Sequence, residues 1–119
     1  MTTTPEGKVK KQIRALLEEF NANGELYQYW PVPSGMGPSS LDCLVCYYGA
    51  FIGIEAKAPG EVPTPRQEFT IDRIDKAHGA TFVIDGPEGL AKLRAELTAI
   101  RQAFGKVILQ TGDGVCRPL

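Results

Sequence analysis

The stretch Leu41-Asp42-Cys43-Leu44-Val45-Cys46-Tyr47-Tyr48-Gly49-Ala50-Phe51-Ile52-Gly53-Ile54-Glu55-Ala56-Lys57-Ala58 carries two apolar runs on either side of Tyr48-Gly49. Both runs are short and rich in β-formers, and a turn dipeptide separates them. The pattern predicts a hairpin of two strands, residues 41–47 and 51–58. A turn at Tyr48-Gly49 pairs Tyr47 with Ala50, Cys43 with Ile54, and Asp42 with Glu55. Directly opposed residues hold their Cβ atoms about 4.5–5.5 Å apart. Lys57 lies two residues beyond Glu55 and shares its face. The other face carries Cys43, Val45, Ile52 and Ile54, an apolar set suited to burial.

Two carboxylates set opposite one another destabilise a hairpin unless a cation lies between them. Hard oxygen ligands at that separation suit Mg²⁺ or Mn²⁺. Such an ion polarises a phosphoryl oxygen and acidifies water, and a lysine beside it orients that water or offsets charge developing on the phosphate. Glu-x-Lys on a strand is also common as a solvated ion pair. The matched Asp42 is what favours the chemical interpretation.

Working outward, Val9, Ile13, Leu16, Leu17 and Phe20 recur at helical spacing from Pro5 to about Asn23, and Gly24 ends that helix. Glu6 falls on the same stripe, either as a direct or indirect contact to the metal or as a negative charge favoured at a helix N-terminus. Residues 25–32 read as a strand interrupted by Pro31, and residues 33–40 as a turn-rich loop. Thr64-Pro65-Arg66-Gln67 marks the start of a helix running to about His78. Gln67 shares a face with Ile71 and Ile74. It either reaches toward the acid pair or the substrate phosphate, or bonds back to its own helix start. His78 reads as structural. A strand over 80–85 and a helix from Pro87, with Leu90, Leu93, Leu97 and Ile100 on one face, complete the series. Residues 106–110 (KVILQ) allow a last strand, followed by a loose Gly-rich tail. The order α-β-β-β-α-β-α is that of an α/β (α+β) protein, a small mixed sheet flanked by helices.

A chain of 119 residues suits one domain, and 43% hydrophobic with 23% charged residues is ordinary for a folded protein. No apolar run reaches membrane-spanning length and no leader precedes the first helix, so the expected compartment is the cytoplasm. Net charge is −1, so no global positive field marks a nucleic-acid binder. Lys8, Lys10, Lys11 and Arg14 form the densest basic stretch, read as a solvated helix face or a DNA contact. Three cysteines argue against a disulfide framework. Cys43 and Cys46, three apart on a strand, point to opposite faces and cannot share an ion; both are expected in or near the core.

Asp42, Glu55 and Lys57, with the run Gly49–Gly60 around the latter two and the Gln67 helix after them, resemble the PD-(D/E)xK nuclease superfamily and, within it, the VRR-NUC branch. The resemblance covers roughly residues 5–100. Leu41 stands where the superfamily motif has proline, and no Val-Arg-Arg triplet occurs. The resemblance implies a restriction-endonuclease-like fold over residues 1–104, with 105–119 as an extension. It implies a Mg²⁺- or Mn²⁺-dependent DNA endonuclease. Asp42, Glu55 and the Ala56 carbonyl are then metal ligands, Lys57 the catalytic lysine, Glu6 the acid of the first helix and Gln67 the residue of the later helix. Small stand-alone phage or bacterial members of this branch include homodimers acting on branched DNA such as four-way junctions. A homodimer is also expected because so small a chain offers little surface to address two strands. The alternative is a catalytically silent nucleic-acid-binding or assembly module on the same scaffold.

Overall fold

Tyr48 and Gly49 both take left-handed backbone angles, φ 49° and 83°, as a two-residue hairpin turn aligned with strand twist requires. The computed structural model describes residues 3–32, 37 and 40–111, with side chains through residue 104. Its elements are α1 (Pro5–Phe20), β1 (Leu26–Tyr29), β2 (Cys43–Tyr47), β3 (Ala50–Ala56), α2 (Pro65–Lys76), β4 (Ala80–Ile84) and α3 (Pro87–Thr111). The four strands form one sheet in the order β1-β2-β3-β4. β1–β2 and β2–β3 are antiparallel, whereas β3–β4 is parallel because α2 forms the crossover between them. Cys43 pairs with Ile54 and Tyr47 with Ala50, the register expected from the turn.

Boundaries shift for local reasons. β1 stops at Tyr29 rather than at residue 32, just short of Pro31, which has no N–H for a ladder. Asp42 sits immediately before β2 and Lys57 immediately after β3, so both leave the regular ladder where their side chains are used. The last strand allowed at residues 106–110 does not form: these residues continue α3. A helix already under way gains one hydrogen bond per added residue, and a single Gly105 costs only about 1 kcal/mol against that. Most of the turn-rich loop before Asp42, Cys116 and the tail from 112 lie outside the described residues. Among the described residues no helix is long and apolar enough to cross a membrane.

The even-numbered face of β1 and the odd-numbered face of β2 meet α1 and α3. Val9, Ile13, Leu16, Leu17 and Phe20 of α1, Leu93 and Leu97 of α3, and Cys43, Val45, Ile52, Ile54 and Ile84 of the sheet form one buried cluster. Arg94 closes the two helices with a bidentate pair to Glu19, at 2.8 and 3.0 Å. On the opposite face α2 covers only the β3–β4 side. Its Ile74 and the preceding loop's Leu41 meet over Gly53, where a Cβ would come within 3.0 and 2.9 Å of their terminal methyls. Cys46, expected in or near the core, is instead exposed on this face, because α2 does not extend over β2.

Leu97 is fully buried where α3 joins the core. Leu97→Ala is expected to lower unfolding stability by about 2–5 kcal/mol, read as a lower urea midpoint at unchanged slope.

Candidate active site

Two backbone-to-carboxylate hydrogen bonds tie Asp42 to the Glu55-Ala56 end of β3 at the open end of the β2–β3 hairpin. The Asp42 backbone N–H donates to Glu55 Oε1 at 3.2 Å, and the Ala56 N–H donates to Asp42 Oδ2 at 2.9 Å. Each carboxylate thus accepts a backbone N–H just before β2 begins, which satisfies two backbone donors and fixes both acids side by side. The next residue, Lys57, turns its N–H the other way, to the Ile84 carbonyl of β4 at 2.9 Å. Alternation along a strand therefore aims the Ala56 carbonyl, like its N–H, toward the Asp42 side.

Glu55 is 3% exposed and Lys57 7%. The Lys57 Nζ stands 4.0 Å from Glu55 Oε2, near the outer limit of an ion pair. Burial, then the charge of Asp42, pushes the Glu55 carboxyl up from its ordinary 4.5 to about 8, and Lys57 only partly opposes this. Gln67 reconciles both roles considered for it. Its Oε1 accepts from the Thr64 N–H at 2.9 Å, completing a capping box, while its Nε2 donates to Glu55 Oε2 at 2.8 Å. The cap locks the amide so that its donor end meets the acid.

Glu6 is linked to the acid pair through Lys10. Its carboxylate meets Lys10 at 3.4 Å, and Lys10 in turn lies 3.7 Å from Asp42 Oδ1. Lys10, read from the sequence only as part of a solvated helix face or a DNA contact, instead stands beside Asp42. Its spacing of four from Glu6 placed it on the same helical stripe, which was the available signal. Among the described residues no three or more of His, Cys, Asp and Glu converge well enough to hold a metal ion. The hard donors that do converge are the two carboxylates and the Ala56 carbonyl. That set fits Mg²⁺ or Mn²⁺, which commonly take one or two carboxylates and fill remaining positions with water. It lacks the imidazole or thiolate expected of zinc.

No protein-family model and no curated protein matches the chain. Among solved structures, one described as "VRR_NUC domain" superposes with a TM-score of 0.59 at 27% sequence identity, covering 76% of this chain and 94% of that one. The mixed four-stranded sheet with its three helices is consistent with a nuclease-like fold. The chain is thus similar to a VRR-NUC domain over most of both chains.

The Glu55 shift carries a sign for stability. Below about 4.5 the folded and unfolded chains both hold the proton and the contribution is fully present; as pH rises toward 8 the unfolded chain has released it while the folded one retains it, so stability falls. Glu55→Gln, which cannot ionise, is expected to lose this pH dependence, so that its stability relative to the parent rises from pH 5 to pH 8.5. Urea denaturation in EDTA at each pH reads the change.

Proposed function

We propose that the domain is a Mg²⁺- or Mn²⁺-dependent endodeoxyribonuclease, with branched DNA such as four-way junctions as a favoured substrate and a homodimer as the working form. The observation that supports it most is the burial of Glu55 and Lys57 beside Asp42 at the end of one hairpin. A buried acid repelled by a neighbouring acid, with an ammonium too distant to neutralise it fully, costs the fold stability. Such groups cluster where chemistry needs them.

In this reading Asp42, Glu55 and the Ala56 carbonyl hold the ion. When bound it supplies Lewis-acid stabilisation of charge on the phosphoryl oxygens and a more acidic water. Lys57, fixed by its backbone bond to β4, presents its ammonium to the scissile phosphate or to the attacking water, where it offsets negative charge in the transition state. Gln67 is a positioning residue: its amide holds Glu55 Oε2 and favours the ionised carboxylate that a metal ligand must be. Lys10 balances Asp42 from the α1 side, and Glu6 steadies Lys10. The compartment is the cytoplasm of a bacterial or phage-infected cell.

Incubation with duplex and four-way-junction DNA tests this. Cleavage is expected with Mn²⁺ or Mg²⁺ and absent in EDTA. Lys57→Ala is expected to reduce the rate about a hundred-fold or more with its circular-dichroism spectrum retained. An equally active Lys57→Ala, or cleavage undiminished in EDTA, refutes the assignment.

A further inference from the structure

Among the described residues, the sheet face that bears the acid pair continues, beside the Leu41 and Ile74 side chains that meet over Gly53, as an exposed aromatic surface. β1 turns Tyr27 and Tyr29 outward, 65% and 51% exposed, and β3 turns Phe51 outward, 45% exposed. The register makes them two rows. Tyr27, Cys46 and Phe51 form one, and Tyr29, Leu44 and Gly53 the other. Asp42 and Glu55 occupy the next position along the same face. Successive rows lie two residues apart, about 6.6–6.8 Å. The nearest tyrosine is thus one row from the acid pair and the farther one two rows.

Charge is distributed unevenly around this face. Arg66, Thr70 and Arg73 recur at spacings of four and three on the flank of α2 that overlooks it. Arg73 and Thr70 line, with Phe51 and Ile74, an open groove of about 360 Å³. Asp75 lies on the other flank, bonded to Thr81 of β4 at 2.7 Å, and Glu68 and Asp72 share that side by spacing. Among the described residues neither Arg66 nor Arg73 has a carboxylate within ion-pair distance. Arg73 instead lies 5.8 Å from the Phe69 ring centre, and Phe69 is itself exposed.

We propose that this face binds an unpaired nucleic-acid strand, its bases stacked on Tyr29, Tyr27 and Phe51 and its phosphates drawn to Arg73 and Arg66. Outward aromatic rings on an open sheet accept bases of any sequence through their π-faces, and guanidinium groups along the rim neutralise the backbone. A strand so seated leads its backbone toward Asp42 and Glu55. The proposal deepens the nuclease reading and rests on it for the placement of the scissile bond, whereas strand binding is measurable without cleavage.

The test is fluorescence anisotropy of the full chain with short oligo(dT) and with blunt duplex of equal length, in EDTA. Oligo(dT) is expected to bind more tightly than the duplex. The double change Tyr27→Ala and Tyr29→Ala is expected to weaken it about ten-fold or more. Tyr29→Phe, which keeps the ring, retains binding, and Arg73→Ala weakens binding while lowering its salt slope by about one. In a Cys116→Ser background, saturating oligo(dT) is expected to slow alkylation of Cys46, which lies between Tyr27 and Phe51. Oligo(dT) binding unchanged by loss of both tyrosines overturns the proposal. So does a double variant that turns a dimer into a monomer with strand binding intact, which would assign the face to a second copy of the chain. Loss of the nuclease reading would appear separately, as absent cleavage with Mn²⁺ beside intact, tyrosine-dependent binding in EDTA.

Discussion

The latch that ties Asp42 to Glu55 and Ala56 is the constraint from which the rest of the structure follows. A one-residue slip between β2 and β3 would move one acid to the other face of the sheet and send that strand's apolar pair, Cys43 and Val45 or Ile52 and Ile54, out of the core. The apolar pattern on one face and the acid pair on the other therefore enforce the same register. The Tyr48-Gly49 turn sets it from one end, and the two side-chain-to-backbone bonds close it at the other. Burying the acids is unfavourable in isolation. It is tolerated because each carboxylate also accepts an N–H that would otherwise be unpaired.

Around this latch the two faces of the sheet have different tasks. α1 and α3 cover one face with the apolar cluster that supplies most of the burial. α2 contributes little deep burial; its capping box instead positions Gln67 against Glu55. Because α2 shields only the β3–β4 side, none of the described residues covers the β1–β2 side, and the face continuing from the acids is lined with exposed rings. The same short helix thus holds an acid in place and leaves room beside it.

Much of this was legible in the residues. The hairpin register, the shared face of Asp42, Glu55 and Lys57, and the order of the seven elements follow from alternation, turn chemistry and helical spacing, which are local rules. What was not legible depended on tertiary coverage. Cys46 alternates correctly away from Cys43, yet its exposure depends on how far α2 reaches across the sheet, which no local pattern states. The KVILQ run has strand-like composition, but helix propagation from α3 prevails without a neighbouring strand to pair with. Glu6 has the right spacing to face inward; Lys10 intercepts it, a contact decided by side-chain reach. Gln67 could not be divided between cap and acid because its amide has two ends and serves both.

Isothermal titration of Mn²⁺ into the protein at pH 7, in buffers of differing ionisation enthalpy, probes the acid pair most directly. The account predicts one ion bound per chain with release of a proton, since Glu55 is largely protonated there in the folded protein and must ionise to serve as a ligand. It also predicts that binding is lost in Asp42→Asn. Absence of binding, or binding with no proton release and no dependence on Asp42, would contradict it.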